Sequence, residues 1–164
     1  MNDIHMPNAK DVRDLLTDLV GREVEVRTGA DKADTGAPGG AMVGTYVDVN
    51  RNLRALVVLD LSAAAFLGTS IALIPAGGAE AALEDGVLPE SLGANSAEVL
   101  NIMASLFNVD EAPHLRLDRW YAPGALLPPA VAQWVTAWVD RLDLAIDIKG
   151  YGPGLLSVVS GFRN

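Results

Sequence analysis

The chain has 164 residues, half of them hydrophobic but only 5% aromatic, and a formal net charge of −9. That charge argues against nucleic acid or an anionic membrane as the main partner, since neither attracts an acidic protein. There is no cysteine, which excludes a disulfide framework, a thiolate zinc site and a thiol nucleophile, and fits a cytoplasmic protein.

A chain of this length suits one domain over residues 1–164, able to bury about 70% of the surface its unfolded form exposes. Residues 1–7 are expected to fray, and the N-terminus lacks the apolar segment of a signal peptide. Asn8 is placed to cap a first helix, with Asp11 in the first turn, where the helix dipole favours negative charge. Val12, Leu15, Leu16, Leu19 and Val20 form its apolar stripe, and Gly21 supplies the stop. A strand follows over Arg22 to Thr28, with Val24 and Val26 facing one way and Glu23, Glu25 and Arg27 the other.

Gly29 to Gly40 reads as a flexible glycine-rich loop, without the Gly-Lys-Ser/Thr ending of a phosphate loop. Ala41 to Val49 and Leu53 to Leu61 read as strands joined in a hairpin by Asn50-Arg51-Asn52. The second is apolar on both faces, which predicts a central place in the sheet. Leu61 to Ala79 carries no charge, but Pro75-Ala76-Gly77-Gly78 ends any helix there. A helix over Ser62 to Ile74, capped by Ser62, would be about 20 Å long, too short for a bilayer core of roughly 30 Å. Its predicted buried contacts are Phe66, Leu67, Ile71 and Ile74, and Pro75 to Leu88 follows as a connector with one short helical turn.

Pro89 to Asn108 then predicts an amphipathic helix, with Pro89 at its first position. Leu92, Val99, Leu100, Met103, Leu106 and Phe107 gather on one side at helical spacing. Opposite them lie Ser91, Ala94, Glu98, Asn101 and Ser105. Most solvent-facing helix surfaces are crowded with charge, whereas this one carries one carboxylate and one amide among small side chains. His114 to Ala122 reads as a strand with Leu115 and Leu117 inward. After Pro128-Pro129, the spacing of Val131, Trp134, Val135, Trp138 and Val139 predicts a further helix, its two tryptophans read as buried core contacts in preference to a partner surface. A closing hairpin places Leu142, Leu144, Ile146 and Ile148 inward, turns at Gly150 to Gly154 and returns over Leu155 to Gly161. These connections predict an α+β fold, a mostly antiparallel sheet with long helices packed on it.

Little conventional chemistry is available to this chain. His5 and His114 have no serine or carboxylate arranged for a triad, no metal-ligand spacing appears, and Asp143 and Asp147 lie on one polar strand face. Glu98 and Asn101 remain, three residues apart on the outer helix face, with Pro123 twenty-two positions after the asparagine.

This Glu-x-x-Asn and proline spacing resembles the signature of the CheC/CheX/FliY family of chemotaxis phosphatases. The order of elements is similar over most of Asn8 to Phe162, and the motif occurs once, as in the single-site CheX branch. Two features depart from the family pattern: Ala94 stands where Ser or Asp is usual, and Pro129 to Asp140 is longer than the corresponding CheX region.

The resemblance implies a homodimeric phosphatase acting on the aspartyl phosphate of a CheY-type response regulator. Such a regulator brings its own Mg²⁺ and lysine, so the phosphatase needs no cofactor of its own. Hydrolysis then requires a water held in line, which is positioning work. An amide can orient that water through hydrogen bonds, the role the resemblance implies for Asn101. Glu98 would pair with the regulator's lysine, and Ser91, Ala94, Ala104 and Ser105 would form a flat partner surface. The alternative is a non-catalytic CheC/CheX-like binding module in chemotaxis or motor signalling, towards which Ala94 points. A third reading, a ligand-binding domain using Gly29 to Gly40, has no polar constellation behind it.

Overall fold

Asn8 opens the first helix through a reciprocal cap. Its side-chain oxygen accepts the N–H of Asp11 at 2.8 Å, while the Asp11 carboxylate accepts the N–H of Asn8 at 3.1 Å. In the computed structural model, which describes residues 4–160, this helix α1 spans Ala9–Val20 and ends at Gly21 in the left-handed conformation (φ 70°). Val12, Leu16 and Val20 are buried, as the stripe predicts. Ile4 and Met6 pack against the same core, and Pro7 is buried.

The strands are β1 (Val24–Thr28), β2 (Ala41–Val47), β3 (Leu53–Asp60), β4 (Arg116–Tyr121), β5 (Arg141–Ile148) and β6 (Gly152–Val159). They form a six-stranded sheet of order β1-β5-β6-β3-β2-β4, and every pairing among the described residues is antiparallel. Strand β3, predicted central, lies between β6 and β2, and Ala55 to Leu59 are buried on both faces. The β2–β3 hairpin closes where Asp48 accepts the N–H groups of Asn50 and Asn52 at 2.9 and 3.0 Å. Arg51 there takes the left-handed conformation. Gly161 and Phe162, placed in the last strand and the family-like span, lie outside the described residues.

The helices α2 (Leu61–Ile71), α3 (Gly77–Asp85) and α4 (Glu90–Met103) follow the strand pair, and α5 (Pro129–Ala132) is a single turn. Among the described residues no helix is long and apolar enough to cross a membrane. One sheet face carries the main core, in which Met42, Tyr46, Val57, Leu59, Leu144, Ile146, Leu156 and Val158 meet side chains of α1, α2 and α4. Fully burying a Leu or Ile side chain contributes about 1.5–3 kcal/mol, so this face holds most of the apolar stabilisation. The opposite face has a smaller cluster built on Ala41, Val43, Leu56, Val58 and Val159, covered by Ala33, Val131 and Val135.

Three local expectations are corrected. Asp60, not Ser62, caps α2: its carboxylate accepts the N–H of Ala63 at 2.8 Å and also that of Leu155 on β6 at 3.0 Å. The cap therefore fastens a strand as well as a helix, a bond Ser62 is not placed to make. The connector after Pro75 holds a nine-residue helix, α3, rather than one turn. The helix expected after Pro128 stops at Ala132; Val135 is buried, but Trp138 is 92% exposed, with Lys32 Nζ 3.6 Å from its ring centroid. Irregular backbone across the sheet face presents only some of its apolar side chains inward. Within the 29–40 loop, Ala33 is fully buried and donates its N–H to Ser157 Oγ at 3.0 Å.

Candidate functional site

Helix α4 begins one residue later than predicted, with Pro89 as its N-cap, and buries Leu92, Gly93, Ser96, Val99, Leu100 and Met103. Phe107 is buried beyond its end and Leu106 is half-buried. Two contacts set its position. Against α2, Gly68 leaves no room for a side chain: a Cβ there would lie 2.6 Å from the Leu92 carbonyl oxygen and 2.9 Å from Ser96 Oγ. Across this approach Ser96 Oγ donates to the Ala64 carbonyl, and Asn95 Nδ2 donates to the Gly68 carbonyl at 3.1 Å. Against the sheet, Gly44 admits Leu100, whose Cδ1 would be 3.0 Å from a Cβ at that position.

With that face committed, the opposite one is free. Ser91, Ala94, Glu98, Asn101 and Ser105 are all exposed, and Ala104 is half-buried. Glu98 and Asn101 share this surface one turn apart, a spacing that sets Cβ atoms about 5–6 Å from each other. Neither side chain makes a hydrogen bond or ion pair with another described residue. The carboxylate can therefore receive a cation, and the amide can both donate to and accept from a water, without breaking an internal contact. Helix and sheet supply a rigid support, and the small neighbours permit close approach.

The neighbours of Ala94 do not replace the hydroxyl or carboxylate that the resemblance would place there. Asn95 and Ser96 are hydrogen-bonded to α2, leaving Ala94 with no polar atom of its own side chain. Pro123 is half-buried after β4 and lies beside Gly40, where a Cβ would be 3.5 Å from Pro123 Cα.

Three features near the helix escape the sequence pattern. Trp120, 38% exposed on edge strand β4, lies over Gly93, its Cη2 3.6 Å from where a Cβ would stand. Beyond Ser105, an open groove of about 500 Å³ is lined by Ser105, Leu106 and Val109 together with His5, Asp11, Asp14, Leu15 and Asp18. Its Asp14 carboxyl is held below the usual range by a 2.7 Å hydrogen bond from Lys10, with Arg13 adding to the effect. Third, Tyr46 is fully buried beneath the helix, and its hydroxyl donates to the Leu100 carbonyl at 2.6 Å. A lone tyrosine in an apolar strand carries no sign of that bond.

No family model matches the chain, and no curated protein matches it. Solved structures do. The middle domain of FliM from H. pylori matches with a TM-score of 0.64 at 9% identity, over 93% of this chain and 84% of that one. FliM in the FliG–FliM complex from H. pylori matches at 0.56 and 11% identity, over 93% and 86%. A chemotactic CheC-like protein from Shewanella oneidensis matches at 0.48 and 10% identity, over 93% and 92%. At such identities the likeness is one of fold: the chain folds as the FliM middle domain does.

Proposed function

We propose that this protein is a CheX-like phosphatase that hydrolyses the aspartyl phosphate of a CheY-type response regulator. One observation carries the reading: Glu98 and Asn101 are exposed together, free of internal partners, on the face of α4 opposite its buried stripe. In this reading Glu98 pairs with the regulator's lysine and fixes the docking register. Asn101 holds the attacking water in line with the phosphorus, accepting from it or donating to it without serving as a base. Ser91, Ala94, Ala104 and Ser105 form the flat floor on which the regulator rests. The Mg²⁺ is the regulator's, and the chain acts as a homodimer.

The test is loss of phosphate from a phosphorylated regulator, with and without the protein. The wild type should accelerate it, and Asn101→Ala should reduce that acceleration on the order of 10²-fold, the scale of losing correct placement. Glu98→Lys should weaken productive docking by placing like charges together. If both variants accelerate as the wild type does, the assigned roles are wrong.

A second reading has its own support. FliM middle domains share the fold, one of them in a complex with FliG, and Ala94 departs from the phosphatase pattern. The domain would then be a binding module for a chemotaxis or motor partner. Binding to the phosphorylated regulator with no change in its dephosphorylation rate would favour this reading over the first.

A further inference from the structure

Helix α4 passes at its C-terminal end directly into a 3-10 turn. In an unbroken helix the Leu100 carbonyl would receive the N–H of Ala104. Here that N–H points to the carbonyls of Asn101 and Ile102, as the helix tightens into a 3-10 turn over Ala104–Leu106. The Leu100 carbonyl belongs to a fully buried residue, far from any water that could satisfy it. A donor reaches it from the sheet: Tyr46 Oη donates to it at 2.6 Å. Burial pushes the Tyr46 phenol far up, so the hydroxyl keeps the proton it donates. The Tyr46 ring also packs at 55° against Phe107, with centroids 5.1 Å apart, just past the 3-10 turn. Tyr46 thus holds the chain on both sides of the change in helix type, and Asn101 stands between the two contacts.

We propose that Tyr46 is a positioning residue for Asn101: through the Leu100 carbonyl it sets the backbone from which the water-orienting amide projects. The inference rests on the proposed phosphatase reading for its catalytic consequence, though not for its geometry. Tyr46→Phe keeps the ring and its packing on Phe107 and removes only the bond to Leu100. The control is Tyr151→Phe, which removes a part-buried bond of the same 2.6 Å length, from Tyr151 Oη to the Ile74 carbonyl, on another part of the molecule.

The experiment measures regulator dephosphorylation against regulator concentration for the wild type, both tyrosine variants and Asn101→Ala. It is accompanied by the side-chain amide resonances of Asn101 in the free protein. Tyr46→Phe should lower turnover at saturating regulator on the order of 10-fold with the half-saturating concentration unchanged, and should shift the Asn101 resonances. Tyr151→Phe should change neither, although both variants lose an internal hydrogen bond and some thermal stability. Equal turnover per folded molecule in the two tyrosine variants, or unmoved Asn101 resonances in Tyr46→Phe, would overturn the positioning role. Full acceleration by Asn101→Ala would instead overturn the phosphatase reading, and the resonances would still decide whether Tyr46 orients the amide.

Discussion

The two faces of the sheet are covered by different means. On one, α1, α2 and α4 lay regular apolar stripes over Met42, Leu59, Ile146 and Val158. On the other, irregular chain from the 29–40 loop and from the segment after α5 crosses a smaller apolar cluster. Arg141 fastens that covering: it bonds the Asp143 carboxylate at 2.9–3.1 Å and donates Nη1 to the carbonyls of Val135 and Ala137 at 3.1 and 3.0 Å. Ser157 completes the fastening, donating to Asp143 at 2.6 Å and accepting from Ala33. Helices satisfy their own backbone, so side-chain packing alone can hold them. Irregular chain leaves backbone groups that need polar partners, and here an ion pair provides them. The candidate site stands on the helical face, where rigid elements position its side chains.

The largest effect expected from breaking this contrast lies in the helical face. Leu16→Ala empties a fully buried position and should cost about 2–5 kcal/mol in denaturant unfolding. Arg141→Met attacks the other face and should cost about 2 kcal/mol, because it strands a largely buried carboxylate and two carbonyls. Regulator dephosphorylation per folded molecule should survive Arg141→Met, since α4 lies on the opposite side of the sheet.

The faces should also differ in acid. Burial raises the pKa of Asp143, but hydrogen bonds from Arg141 and Ser157 outweigh it and hold the carboxyl below its ordinary range. A depressed folded pKa gives stability above the unfolded value of about 3.9 that is lost as pH falls through the folded one. Replacing the pair, as Arg141→Met with Asp143→Leu, should therefore flatten the acid limb of stability against pH. Asp60 has the opposite sign: burial raises its pKa despite the N–H groups of Ala63 and Leu155, so it retains its proton longer when folded and opposes acid unfolding. The smallest effect is expected at the helix start, where Asn8→Ala should cost about 1 kcal/mol in thermal or denaturant melting.

The elements visible in the sequence are those whose apolar spacing repeats along one segment. Helix α1, the β2–β3 and β5–β6 hairpins, and the two faces of α4 are of this kind, and Glu98 and Asn101 were legible because they oppose a buried stripe. Features made by tertiary contact were not. Asp60 and Ser62 are both capping residue types two positions apart, and the N–H of Leu155, ninety-five residues away, distinguishes them. Helix α3 buries only Ala79 and Ala82, too small a stripe to stand out. Trp134 and Trp138 have helical spacing, yet the chain there spreads over a sheet face that takes Val131 and Val135 and leaves Trp138 outside. The fit of Ser96 beside Gly68, and of Tyr46 beneath Leu100, depends on which elements become neighbours. No local pattern encodes that.

The central claim is that the free face of α4 completes a partner's active site, and Asn101 tests it most directly. Phosphate loss from a phosphorylated CheY-type regulator should be accelerated by the wild type and fall on the order of 10²-fold in Asn101→Ala, with the variant still folded and still bound to the regulator. Equal acceleration by the two proteins, or binding by the wild type with no acceleration at all, would contradict it.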